Sequence, residues 1–285
     1  MSSGALRSAG PVSEESLTEE ILESARHLDQ LSVGDTLGLI HREDGEAWKA
    51  VGKQIPRIAE AVDVLVCAVG GGGRWFNVGA GTSGRLGVLD ASEVPPTFGM
   101  SPHVVQGVIA GGEPALRRAI EGAEDDGDAA RFELQERGLT LGDAVVGISA
   151  SGTTPFAIAA VEAAHEIGAR SIAITCVPGS PLAEMAEIVI VPVTGAEVVT
   201  GSTRMKAGLA QKMVLHMLST TVMVQLGRVE GSLMTNISPV SRKLRNRSLR
   251  ILMFLSELPK DEAEDLLARH DGDLASALAE TRSGS

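Results

Sequence analysis

Five short apolar runs, mostly separated by stretches of helical period, constrain this chain more than any other feature. They predict strands at Arg74 to Val78, Val104 to Ala110, Ala144 to Ile148, Ser171 to Cys176 and Ile188 to Val193. Nearly continuous apolar runs of this length read as strands covered on both faces, and such strands, joined through helices, pair in parallel. The expected fold class is therefore α/β: a three-layer parallel sheet with flanking helices. At 285 residues the chain is long enough for one such domain and an appendage.

The core of this sheet must be built almost without aromatics, which make up 2% of the residues with no Tyr. That scarcity excludes an aromatic stacking platform for single-stranded nucleic acid. A net charge of −12 repels a phosphate backbone, so no nucleic-acid partner is expected. No run of about 18 uncharged apolar residues is present, so no membrane partner is expected either. The first twenty residues are polar and lack the apolar stretch of a secretory signal. Cys67 and Cys176 share no metal-ligand spacing with any His, and both read as buried small hydrophobes in a reducing compartment. The expected localisation is cytoplasmic, with no metal.

Residues 1 to about 16, rich in Ser, Gly and Ala, read as a flexible tail. Trp48, Val51, Ile55, Ile58, Val62 and Val66 form one face of a predicted helix that ends at the glycine run 70–73. Further helices are expected through Ala91, over Pro114 to Ala123 and Asp128 to Gly138, up to about Gly168, and from Ser202 to Leu226. The last carries Met205, Leu209, Met213 and Met217 on one face, and His216 reads as a packed core histidine. Beyond Gly231 a basic helix containing Arg242, Lys243, Arg245, Arg247 and Arg250 precedes two short helices broken at 270–273. The expected division is an N-terminal tail and helical arm (1–45), a sheet domain (46–230) and a small C-terminal helical appendage (231–285).

Two strand-to-helix loops carry the functional signal. Gly79-Ala-Gly-Thr-Ser-Gly84 has the spacing of a dinucleotide fingerprint, yet the second strand lacks the acidic residue that would hold a ribose. Its Thr82 and Ser83 instead suit an anion at a helix N-terminus. The second loop places Ser149, Ser151, Thr153 and Thr154 within six residues. Helix capping explains one hydroxyl in each loop but not four in the second. The pair favours a phosphorylated small molecule, with Thr82, Ser83, Ser149, Ser151 and Thr154 as candidate ligands.

Gly79-Ala-Gly-Thr-Ser-Gly-Arg85 together with Ser151-Gly-Thr-Thr154 resembles the sugar isomerase (SIS) domain. Three longer segments, 79–98 (GAGTSGRLGVLDASEVPPTF), 109–126 (IAGGEPALRRAIEGAEDD) and 195–212 (GAEVVTGSTRMKAGLAQK), are similar to N-acetylmuramic acid 6-phosphate etherases. The resemblance runs from about His27 to Leu252. The chain departs from the family's usual residues at Val94 (Cys), Thr153 (Arg) and Val177 (Asn), and in its Trp75-Phe76-Asn77 strand.

The resemblance implies removal of the D-lactyl ether from C3 of the sugar, giving N-acetylglucosamine 6-phosphate and D-lactate. An ether resists simple hydrolysis, so the chemistry runs by elimination and then addition of water. Two acid–base groups suffice, with no cofactor. The family's two glutamates fall on Glu93, implied to protonate the departing lactate, and Glu124, implied to be the base at C2. Glu197, Arg204 and Lys206 lie in the third matching segment. A basic side chain there suits either the lactate carboxylate or an ordinary surface ion pair. A homodimer with sites completed across the interface is implied by the same likeness. A non-catalytic sugar-phosphate sensor and an aldose–ketose isomerase are the competing activities at this stage.

Overall fold

The computed structural model describes residues 18–237 and 242–283; the tail expected over residues 1 to about 16 lies outside them. Short 3-10 turns lead into α1 (Val33–Gly52), capped by Ser32, whose hydroxyl accepts the Asp35 N–H, and α2 (Ile55–Gly70). The chain then alternates: β1 (Trp75–Gly79), α3 (Gly81–Phe98), β2 (Val105–Ile109), α4 (Gly112–Ala115), α5 (Gly127–Glu136) and β3 (Ala144–Ile148). It continues through α6 (Pro155–Ile167), β4 (Arg170–Ile174), α7 (Pro181–Met185), β5 (Ile188–Ile190) and α8 (Lys206–Gln225). A hairpin of β6 (Val229–Glu230) and β7 (Leu233–Met234) precedes α9 (Arg242–Ser256), α10 (Lys260–Arg269) and α11 (Leu274–Ser283).

The five main strands form one parallel sheet in the order β2-β1-β3-β4-β5. Successive strand residues feed opposite layers, as the two-residue period requires. Trp75, Val146 and Ile174 pack with α1, α2, α3 and α8, whereas Phe76, Val78 and Val145 pack with α5 and α6. The three-layer α/β fold is thus the observed one. Strand order reverses at β1, whose two neighbours are β2 and β3, so the crevice at the carboxyl ends of β1 and β3 is the switch point where such sheets bind ligands.

Several local expectations are corrected. The helix expected from Trp48 to Val66 is two helices, because the chain breaks at Lys53 and Gln54 before Pro56, which takes the first turn of α2. Trp48 and Ile55 are consequently exposed. This break falls within the region expected to bear the sheet. The helix expected over Pro114 to Ala123 is the short α4 followed by a 3-10 turn, Ala123–Asp125. Arg85 Nε donates to the carbonyl of Ala115 at 2.9 Å and Arg85 Nη2 to that of Arg118, which removes acceptors a continuing helix needs. Cys67 is exposed, while Cys176 is buried and its thiol is pushed up to about 12 by that burial. His216 is exposed, with Nδ1 2.7 Å from the Lys212 carbonyl oxygen.

A separate apolar cluster joins Ile237 with α9, α10 and α11. It meets the sheet region at the end of α3, where Gly99 has a left-handed backbone (φ 64°). A Cβ there would lie 1.9 Å from the Asn236 carbonyl oxygen, so only glycine permits this approach.

Candidate active site

The two hydroxyl loops follow β1 and β3, which pair directly with Gly79 opposite Ile148. The structure therefore brings Thr82, Ser83, Ser149, Ser151 and Thr154 to one sheet edge, at the switch point. Thr82 and Ser83 lie in the first turn of α3, whose cap residue Ala80 offers no side chain to the free N–H groups. Ser83 is buried and donates its hydroxyl to Gln211 Oε1 at 3.0 Å. Thr82 rests near Gly208 at the head of α8, where an added Cβ would lie 3.3 Å from its methyl carbon.

The second loop is knitted by its own hydroxyls. Ser149 Oγ accepts the Gly152 N–H at 3.0 Å and lies 2.8 Å from Thr154 Oγ1. Ser151 Oγ lies 2.8 Å from Thr153 Oγ1 and accepts the Thr153 N–H at 3.3 Å. Gly152 is left-handed (φ 72°), and a Cβ there would meet Ser180 Oγ at 2.0 Å, so the loop closes only around glycine. Ser151 and Thr154 are half-buried and Thr153 is exposed, whereas Ser149 is buried. Ser151→Ala is expected to weaken binding of a sugar phosphate by about 1.5–3 kcal/mol, the range for a hydrogen bond to a charged group, as read by titration calorimetry.

The head of α8 lies between these loops but is already filled. Glu197, almost fully buried, accepts the N–H groups of Lys206 and Ala207, each at 2.9 Å. The Lys206 side chain is 3% exposed and its Nζ pairs with Glu43 Oε2 of α1 at 2.5 Å. The cation that the sequence offered to a carboxylate substrate is thus engaged with the protein's own carboxylate, while Arg204 is exposed.

Glu124 sits in the 3-10 turn after Gly122 and lines a cleft with Gly81, Arg85, Ile120 and Glu121. Arg85, whose role sequence reasoning missed, shapes this cleft through its bonds to the carbonyls at and beyond the end of α4. Its only sequence signal was its place at the end of the first loop motif. Glu93 is elsewhere. It is exposed on α3, twelve residues beyond Gly81, and α3 runs back from the loop edge. At about 1.5 Å per residue that is roughly 18 Å along the helix. Glu93 is not among the residues that line the Glu124 cleft.

Between α3 and α8 a second polar pair lies two turns beyond Ser83 and Gln211. Ser219 donates to Asp90 Oδ1 at 3.0 Å, and Asp90 Oδ2 has no partner among the described residues. Burial holds the Asp90 carboxyl above its ordinary value, against the pull of Ser219, Lys212 and His216. The folded protein therefore binds this proton more tightly than the unfolded chain does. Its contribution to stability is full below the unfolded value of 3.8 and is lost as pH rises through the raised folded value. Thermal melts from pH 3 to 8 are expected to show this loss in the native protein and not in Asp90→Asn.

Two family models match the chain: the glucokinase regulatory protein N-terminal SIS domain over residues 57–165, and the SIS domain over residues 137–221. An N-acetylmuramic acid 6-phosphate etherase of Christiangramia forsetii is 50% identical, across 86% of this chain and 89% of its own length. The one from Escherichia coli (strain SMS-3-5 / SECEC) is 44% identical across 93% and 98%. This chain belongs to the N-acetylmuramic acid 6-phosphate etherase family. Among solved structures, a phosphoheptose isomerase from Francisella tularensis superimposes with a TM-score of 0.52 at 19% identity, covering 68% of this chain and all of its own. An E. coli CFT073 protein solved in complex with A5P gives a TM-score of 0.52 at 18% identity, covering 71% and 97%. At such identities these neighbours share the fold with this etherase family member. Of the positions named above as departures from the resemblance, Val94 and Val177 are both buried, whereas Thr153 is exposed in the second loop.

Proposed function

We propose that the etherase reaction of this protein runs by elimination and hydration, with Glu124 as the base at C2 and Glu93 as the acid at the departing oxygen. The substrate is N-acetylmuramic acid 6-phosphate in its open-chain aldehyde form. There the C2 hydrogen lies α to a carbonyl, which makes it acidic enough for a carboxylate to take. Electrons from C2 then expel the lactate oxygen from C3, and Glu93 protonates that oxygen. Water adds to C3 of the unsaturated aldehyde, giving N-acetylglucosamine 6-phosphate and D-lactate. All bonds balance with two carboxyl groups and water, so the mechanism calls for no cofactor.

The observation that carries this reading is that the two hydroxyl-rich loops share one sheet edge at the switch point, and that Ala80, Gly81 and Arg85 of the first one line the Glu124 cleft. We assign Thr82, Ser83, Ser149, Ser151 and Thr154 to the 6-phosphate. The unpaired N–H groups at the head of α3 add a favourable field for that dianion.

We further propose a homodimer in which Glu93 serves the site of the other copy. The roughly 18 Å of helix between Gly81 and Glu93 supports that reading, as does the absence of Glu93 from the lining of the Glu124 cleft of its own copy. The domain reading, with an arm (1–45), a sheet domain (46–230) and a helical appendage (231–285), is kept. The cytoplasm is the proposed location, because a phosphorylated sugar is retained there.

Release of D-lactate from the muramic acid phosphate, followed with a lactate-coupled assay, tests the activity. Binding of sugar phosphate with no lactate released would favour a sensor. A fructose-type product from glucosamine 6-phosphate would favour an isomerase.

A further inference from the structure

Gln211 is 1% exposed on α8, facing the first turn of α3, and the etherase mechanism gives it no task. Its Oε1 accepts the hydroxyl of Ser83 at 3.0 Å, but its Nε2 is buried and meets no acceptor among the described residues. An unpaired buried donor carries its full desolvation penalty, so this atom needs an explanation. Ser83 supplies one. A serine hydroxyl has a single proton, and here that proton is committed to Gln211. In this arrangement Ser83 is only an acceptor, and a phosphate dianion is only an acceptor too. The two have no hydrogen bond to make.

A half-turn of the amide about its last bond exchanges Nε2 and Oε1 without changing the space they fill. Nε2 then donates to Ser83 Oγ, and the Ser83 proton is released to point at a phosphate oxygen. The orphan donor is satisfied, and the atom left unpaired is a carbonyl-type oxygen, which tolerates it better. Nothing comparable operates at the neighbouring helix head, because Glu197 already fills the N-terminus of α8.

We propose that Gln211 is a positioning residue for phosphate recognition: its amide turns when a sugar phosphate monoester binds, and so makes Ser83 a donor. This rests on the assignment of Ser83 to the phosphate. Polarisation along the chain from amide to hydroxyl to dianion strengthens the outer bond.

Kinetics with N-acetylmuramic acid 6-phosphate, and competition by inorganic phosphate, test the proposal. Gln211→Met keeps the volume and removes the donor. It is expected to raise KM and the phosphate inhibition constant about 10-fold, the low end for a hydrogen bond to a charged group, with a smaller change in kcat. Gln211→Glu is expected to do more, since a carboxylate holds the Ser83 proton and adds a negative charge. Ser83→Ala is expected to match Gln211→Met, and the double variant to be no worse than Ser83→Ala alone, because both act through one bond. On the native protein, the Gln211 side-chain amide proton resonances are expected to move as inorganic phosphate is added.

A native KM in Gln211→Met beside a raised KM in Ser83→Ala overturns the relay and leaves the Ser83 assignment standing. Multiplying effects in the double variant, or amide resonances unmoved at saturating phosphate, overturn it as well. A native KM and inhibition constant in Ser83→Ala removes the assignment, and the relay with it.

Discussion

Glu124→Gln is expected to stop lactate release and, with it, exchange of the C2 hydrogen for solvent deuterium. The substituted amide keeps the shape of the side chain beside Gly122 and Arg85 but has no basic oxygen to take a proton. The loss belongs in kcat, by at least the 10²–10⁴-fold that general bases typically supply, while KM stays near native. Glu121 lines the same cleft and is also exposed. Glu121→Gln is therefore the control, expected to leave exchange and turnover near native. Proton NMR of the muramic acid phosphate in D₂O reads both signals at once. Exchange that continues at the native rate in Glu124→Gln would remove this residue from the C2 step.

The strands are legible because they are buried on both faces, which writes continuous apolar runs into the chain. β3 falls where its apolar run predicts it, at Ala144–Ile148. Helix boundaries are less legible where a break preserves the period. Trp48, Ile55 and Val62 keep helical spacing across Lys53 and Gln54, yet Pro56 starts a new helix and the first two side chains face solvent. The packed face of α8 also differs from the one its methionines mark. Met213 and Met217 are half-buried and Leu209 is exposed, while the packed face carries Ala210, Val214, Leu218 and Val222. In a helix apolar on most sides, hydrophobicity alone does not choose the face that packs.

The same limit applies to the candidate site. Hydroxyls clustered at strand ends are visible from composition and position, and the sheet brings both clusters to the switch point. Gln211 is invisible, because its partner Ser83 is 128 residues away and a lone glutamine in a helix reads as surface. Lys206 is visible only as a cation, since its engagement with Glu43 depends on how α1 lies across α8. Pairings of this kind are tertiary facts, and no local pattern encodes them.

Mixing two inactive variants is expected to restore activity, and this follows from the geometry of α3. Glu93→Gln and Glu124→Gln are each expected to release little or no lactate as pure proteins. If each site takes Glu124 from one copy and Glu93 from the other, a hybrid dimer holds one doubly substituted site and one with both native glutamates. Random reassortment makes half the dimers hybrid, and each hybrid has one working site of two, so about a quarter of native activity returns on mixing. A site built within one copy gives no recovery at any ratio, because every site then carries one substitution. Pure Glu93→Gln carries a second signature. Proton abstraction precedes departure of lactate in a stepwise elimination, so C2 exchange persists while lactate release falls about 10²–10⁴-fold. Exchange retained in Glu124→Gln and lost in Glu93→Gln would mean that the two roles are reversed, whereas recovery on mixing depends only on which copy each carboxyl comes from.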